Sequence, residues 1–281
     1  MTISNLNIIG ESINDSVPST REIFEAGDIN GIKALARSQD EGGASYVDVN
    51  VGGRSAEFFV TVIRGVQEAI GKPLSIDTPD PAMAEAALSA YDDSVGKPIL
   101  NSISPLRIEM FNLYKVKPFR PILLISESIH GACRTAEETY EAACLMLREA
   151  KRANIPNEDL IFDPGIAPIG SDSEGNLIRL LAALRMIKED QKFDGFHASV
   201  GLSNFTVMLP PKRKVDGTPV KSPLESAFLT RAMPLGLDYV VGSVKRNYTI
   251  LPEDHPALVC LDECLQTTGF DSIIRVRKFY K

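Results

Sequence analysis

The sequence predicts a (β/α)8 barrel, read as a single domain over residues 1–281. Short β-branched apolar runs alternate with longer amphipathic segments, and the alternation occurs eight times. Successive runs lie roughly 25 to 40 residues apart, which leaves room for one crossover helix each. No linker, low-complexity stretch or charge block divides the chain. The same alternation suits an open doubly wound sheet, the alternative fold at this stage.

The first strand is expected at 7–11 (NIIGE), with its helix at 21–41. The second, 46–51 (YVDVNV), leads to a helix at 57–71. A third strand at 73–77 (PLSID) precedes a helix at 80–92. There Asp80 sets a capping carboxylate before Pro81 at the first helical position, where a missing N–H costs nothing. The fourth pair is 98–103 (PILNSI) with 105–114, and the fifth is 121–126 (PILLIS) with 135–153. Thr135-Ala136-Glu137-Glu138 reads as a capping box, each side chain satisfying one free N–H of the helix start. Then come 160–163 (LIFD) with 174–190, 196–202 (FHASVGL) with 223–235, and 238–242 (DYVVG) with 253–266. In a parallel barrel both faces of a strand are covered, so such runs are apolar almost throughout.

Several function classes recede on composition. The formal net charge of −7 argues against a nucleic-acid footprint, which needs clustered Lys and Arg to release counterions. Cys133, Cys144, Cys260 and Cys264 form no CxxC pair and no Cys/His cluster with zinc spacing. Cys260 and Cys264 stand one helical turn apart and are expected to pack. Met1-Thr2-Ile3-Ser4 opens no basic region followed by an apolar run, so a reducing cytoplasm is the expected location.

A buried strand should be apolar, yet nearly every one here ends on an acid or amide. These are Glu11 with Asn14, Asp48 with Asn50, Asp77, Asn101, Glu127, Asp163, and Asn204 in Gly201-Leu202-Ser203-Asn204. Each alone suits a helix cap or an Asx turn. Together, in a barrel, they converge on one mouth. A ring of acids and amides with almost no cation describes a neutral heterocycle rich in hydrogen-bond donors better than a phosphate. No P-loop and no GxGxxG is present. Oxygen-rich magnesium or calcium coordination is the competing reading of the carboxylates, and no metal site is assigned. His130, His197 and His255 have no mutual ligand spacing. His197 is expected mid-strand as a hydrogen-bonded core or mouth histidine.

Taken in order, these segments resemble a known family: Ile9-Gly10-Glu11-Ser12-Ile13-Asn14, Gly42-Gly43-Ala44 leading to Val47-Asp48-Val49-Asn50-Val51-Gly52, Ile76-Asp77-Thr78, Leu100-Asn101-Ser102, Phe162-Asp163-Pro164 and Gly201-Leu202-Ser203-Asn204. The family is that of the pterin-binding proteins. It includes methyltetrahydrofolate:corrinoid methyltransferases, the folate domain of cobalamin-dependent methionine synthase, and dihydropteroate synthase. The Asp-Val-Asn-Val-Gly run is similar to the methyltransferase branch, where synthases usually show Asp-x-Gly-Gly-Glu-Ser-Thr; Gly-Leu-Ser-Asn stands in place of their Ser-Arg-Lys region.

The resemblance implies that Asp77, Asn101 and Asp163, with Gly201 and Ser203, hold a pterin ring, while Glu11, Asn14, Asp48 and Asn50 lie around it. It assigns Asn204 to N5, as the catalytic residue of methyl transfer between tetrahydrofolate and a corrinoid. An amide can both donate and accept, so it can follow a change of protonation at N5. No Asp-x-His-x-x-Gly cobalt-ligand motif is present, so the corrinoid (cobalamin) is expected on a transient partner protein at the mouth. A homodimer is also implied. A dihydropteroate synthase relative or a non-catalytic folate-binding protein are the alternatives.

One stretch departs from the family. Polar residues often follow Gly-x-Ser-Asn there, but here Phe205-Thr206-Val207-Met208-Leu209 does. A loop from Pro210 to Ser222 then carries Lys212-Arg213-Lys214, read either as a solvated excursion or as a docking surface for a folate glutamate tail or an acidic partner.

Overall fold

In the computed structural model, which describes residues 3–281, eight parallel strands close into a barrel. They are β1 (Asn7–Asn14), β2 (Tyr46–Asn50), β3 (Leu74–Asp77), β4 (Ile99–Ile103), β5 (Arg120–Leu124), β8 (Ile161–Asp163), β9 (His197–Gly201) and β10 (Leu237–Gly242). The ring closes where β1 pairs with β10, Asn7 beside Tyr239 and Gly10 beside Gly242. All eight coincide with the apolar runs, and closure excludes the open-sheet alternative.

Local chemistry starts the helices as expected. α4 (Pro81–Ala90) is capped by Asp80, whose carboxylate accepts from Ala82 and Met83 N–H. The Thr135–Glu138 capping box begins α5 (Ala136–Arg152). α3 (Ala56–Ala69), α6 (Asn176–Glu189), α8 (Lys221–Ala232) and α9 (Pro256–Leu265) lie within three residues of their predicted limits. Cys260 and Cys264 pack, buried, in α9.

Several expectations need correction. The helix read at 21–41 is two helices, α1 (Pro18–Glu25) and α2 (Ile29–Glu41), because Gly27 turns with φ +60 and Asp28 caps α2 by accepting from Gly31 N–H. The segment read at 105–114 is a 3-10 helix, Ile108–Lys115. The eighth β/α unit continues past α9 into α10 (Phe270–Tyr280). Two smaller elements were also unforeseen: a hairpin of β6 (Glu127–Ser128) and β7 (Gly131–Ala132), and the single-turn α7 (Leu202–Phe205). Glu127 therefore lies on that hairpin and not on a barrel strand.

Alternation along each strand sorts side chains inward and outward. Outward residues such as Val47, Ile76, Leu100, Leu123 and Phe162 pack under the helices, while Ile9, Ile99, Ile122, Ile161 and Tyr239 fill the barrel interior. Below that apolar layer, at the strand N-terminal ends, the floor is polar. Arg120 donates to the hydroxyls of Tyr46 and Tyr239, to Glu158 O at 2.7 Å and to His197 Nε2 at 3.3 Å. Arginine can only donate, so His197 Nε2 accepts and Nδ1 donates to Asp238 at 2.5 Å. His197 is thus hydrogen-bonded as expected, but it opens β9 at the floor and lies neither mid-strand nor at the mouth.

Candidate active site

At the other end of the barrel the inward parity continues into polar residues: Glu11 on β1, Asp48 and Asn50 on β2, Asp77 on β3, Asn101 on β4 and Asp163 on β8. The barrel therefore gathers onto one mouth the strand-end acids and amides that the sequence singles out.

Asp77 ends β3 with one carboxylate oxygen bound to Asn50 Nδ2 at 2.9 Å. Asn50 is fixed in turn through its Oδ1, which accepts from Gly52 N–H at 2.8 Å. One turn of the pleat deeper, Asp48 is fully buried. Ser75 and Asn101 face it, yet neither of its oxygens has a well-formed hydrogen bond. Burial first, and then the Asp77 charge, push the Asp48 carboxyl well above the carboxylate range. Asp77 is raised as well, chiefly by burial. Two facing acids in a dry site resist carrying two charges, and the deeper Asp48 is the one pushed further toward its protonated form. Asp48 is thus backing for Asp77 and offers no surface of its own.

Asp163 is also buried. Its Oδ1 accepts from Gly165 N–H at 2.7 Å and its Oδ2 from Ser199 Oγ at 3.2 Å. Burial lifts its carboxyl to about 6, against the opposing influence of those bonds and of Arg179. It is therefore mostly ionised at neutral pH while spending one lone pair of each oxygen on the protein. Gly165 is held at φ +66, and a Cβ there would come within 2.6 Å of Ser126 Cβ, so glycine alone fits this turn.

The last functional element is the turn after β9. Gly201 closes the strand and α7 begins at once, which lifts Asn204 into an exposed position. A Cβ on Gly201 would lie 2.8 Å from Asn204 Nδ2, so the missing side chain is what lets the carboxamide fold back over the strand end. That carboxamide makes no hydrogen bond to the described residues. Its neighbours are tied down: Ser203 Oγ donates to Glu11, and Thr206 Oγ1 donates to Glu225, which is fully buried on α8. Glu225 also faces Arg246 Nε at 3.5 Å. Burial raises the carboxyls of both Glu11 and Glu225.

Asn14 pairs with Asn50 in the β1–β2 register, with its Oδ1 taken by Ser16 N–H and Oγ in a local turn. Sequence reasoning missed Ser199, Arg179, Thr206, Glu225 and Arg246. Inward parity along β9 could have flagged Ser199, two positions before Gly201; the others come from helices and loops that carry no such period.

The unusual segment after Asn204 packs inward in part. Phe205 packs against Phe228 with ring centroids 5.3 Å apart, while Val207 and Met208 are 55% and 68% exposed. The basic loop is no free excursion: Arg213 pairs with Asp216, lies 5.3 Å over the Phe279 ring of α10, and Lys214 N–H donates to Tyr280 O.

Comparison with known proteins bears on the family and the fold. The profile of the family described as pterin binding enzyme matches residues 12–241. A methylcorrinoid:tetrahydrofolate methyltransferase of Eubacterium limosum is 27% identical over 242 residues, 83% of each chain. Two solved structures of dihydropteroate synthase from Xanthomonas albilineans are similar over 96% of both chains. The one with 4-aminobenzoic acid has a TM-score of 0.61 at 19% identity. The one in complex with 7,8-dihydropteroate has 0.56 at 15%. At such identity these two speak for the fold.

Proposed function

Because the chain belongs to the pterin-binding enzyme family, we propose that it is a methyltransferase that moves a methyl group between a protein-bound corrinoid and N5 of tetrahydrofolate. The observation that carries this reading is the pairing, at one mouth, of buried acceptor carboxylates with the unbonded carboxamide of Asn204. The 2-amino and ring N–H groups of a pterin are donors. Asp77 and Asp163 each keep lone pairs free for them in a water-poor site, where a charged acceptor makes the stronger bond. Asn101 suits the mixed donor and acceptor edge. The Eubacterium limosum relative, named for a methylcorrinoid and tetrahydrofolate, favours this chemistry over a synthase.

The corrinoid is a substrate carried in by its own protein and supplies the methyl-exchanging metal centre. Methyl transfer to folate makes an N5–C bond with the N5 lone pair; the bond to the corrinoid breaks with its pair left behind, and N5 sheds its proton. In the opposite sense N5 must be protonated before it can leave. Asn204 can accept from N5–H and donate to a bare N5, which fits both senses without a strong acid or base. Gly201 lets that amide approach, and the Ser203–Glu11 and Thr206–Glu225 bonds fix the turn that carries it. Much of the rate then follows from holding the two substrates in line.

A partner at the mouth is supported by the rim itself. Leu106, Ile129, Val207 and Met208, on loops that follow β4, β5 and β9, are each at least 55% exposed. A docked partner would cover such side chains and remove them from water.

The test is methyl transfer from methylcobalamin to tetrahydrofolate, followed by the cobalt absorbance change. Asn204→Ala should cut turnover by about 10²- to 10³-fold while tetrahydrofolate still binds. A wild-type protein that binds tetrahydrofolate tightly and never turns over would refute catalysis and leave a binding protein.

A further inference from the structure

On α6, outside the barrel wall, Arg179 is only 8% exposed, although the proposed chemistry does not use it. A buried guanidinium is costly unless its donors are met. Here Nη1 donates to Thr139 Oγ1 on α5 at 2.8 Å, and Nη2 donates to Pro164 O at 2.9 Å and Gly165 O at 3.5 Å. Its Nε has no partner among the described residues. The two carbonyls it grips belong to the residues directly after Asp163, and the N–H of the second, Gly165, holds the Asp163 carboxylate from the front.

We propose that Arg179 is the positioning residue for Asp163: it fixes from behind the turn that aims the carboxylate, and its charge keeps that carboxylate an anion when pterin arrives. This rests on the reading of Asp163 as a pterin acceptor. The groups that face Asp163 are Gly165 N–H, the neutral Ser199 hydroxyl and Arg179; those that face Arg179 are Asp163, Asp172 and Cys133. No other cation among the described residues bears on Asp163. With the carboxyl already lifted to about 6 by burial, removing the one opposing charge should move its titration into the neutral range.

Two variants separate the charge from the grip. In Arg179→Met, the pH at which tetrahydrofolate binding is half lost should rise by about one unit. Affinity would then fall roughly tenfold at pH 5, about twofold at pH 7 and hardly at all at pH 9. In Arg179→Lys the charge stays but one ammonium cannot span Thr139 and both carbonyls, so binding should weaken by a similar factor at every pH, with the midpoint unmoved. A merely structural arginine would weaken binding equally at all pH in both variants, and that outcome overturns the proposal. Should the Met variant fail to fold, a Lys variant that binds like wild type across the pH range overturns it. If wild type itself does not bind tetrahydrofolate, the pterin reading fails instead. The Arg179–Asp163 coupling is then read from unfolding, as the pH dependence of stability lost in Asp163→Asn, which Arg179→Met must shift upward.

Discussion

Replacing Asp163 by asparagine should make the protein more stable at neutral pH and unable to bind its ligand. The carboxyl stands near 6 in the folded chain against a usual 3.8. Below pH 3.8 both folded and unfolded chains carry it protonated, and no penalty arises. As the pH rises toward about 6 the unfolded chain ionises first, so stability falls; above that value the loss is complete. At 1.36 kcal/mol per pH unit the full loss is about 3 kcal/mol, and water entry or relaxation on ionisation would reduce it to about 1–3 kcal/mol. Asparagine keeps the acceptor for Gly165 N–H and can donate to Ser199, so the site remains bonded while the cost of charge disappears. The chain has no tryptophan, so urea unfolding followed by far-UV circular dichroism is the assay, with wild type and Asp163→Asn compared at pH 4 and pH 8. The expected difference is about 0.5 kcal/mol or less at the lower pH and about 1–3 kcal/mol in favour of the variant at the higher. A difference that is flat with pH, or a variant less stable at pH 8, would refute the reasoning. Calorimetry at pH 8 should show tetrahydrofolate binding lost.

Other perturbations follow from the same geometry. Gly201→Ala sets a methyl 2.8 Å from Asn204 Nδ2 and must displace the amide; turnover should drop about 10²-fold with tetrahydrofolate binding near wild type, as steady-state kinetics and calorimetry can show. Thr206→Val removes the donor from one oxygen of a fully buried Glu225, and an unpaired buried acceptor costs about 1–3 kcal/mol, readable as a lower urea midpoint. Arg213→Ala loses the Phe279 and Asp216 contacts and should cost about 1 kcal/mol, whereas Lys212→Ala should stay within about 0.5 kcal/mol by the same measurement.

The barrel was legible because its strands are covered on both faces, which forces apolar runs that even single-residue inspection detects. Helix starts were legible where a side chain caps its own helix, as at Asp80 and Thr135. The break at Gly27-Asp28 was missed because apolar residues keep a helical spacing across it, from Ile23 and Phe24 to Ile29 and Ile32; only backbone turning and the Asp28 cap interrupt the helix. Near Ile108 the spacing of three suits a 3-10 turn as well as an α-helix. In the mouth, Asp77, Asn101 and Asp163 announced themselves as polar residues in places that should be apolar. Their supports did not. Arg179, Glu225 and Arg246 lie on α6, on α8 and beyond β10, and only tertiary packing brings a cation or a carboxylate from such distant positions to the back of the site.

The floor of the barrel, sealed by Arg120, Tyr46, Tyr239 and His197, bears on traffic. A container with a closed base has one doorway, and whatever seats deepest must enter first and depart last. On the proposed reading, folate resting against Asp77 and Asp163 cannot be exchanged while a macromolecule covers the rim. The kinetic mechanism would then be ordered, with the corrinoid protein binding second and leaving first. Trapping of bound radiolabelled tetrahydrofolate by excess corrinoid protein, before unlabelled folate can replace it, is the measurement that reads this order, and free exchange beneath the docked partner would mean a second way out.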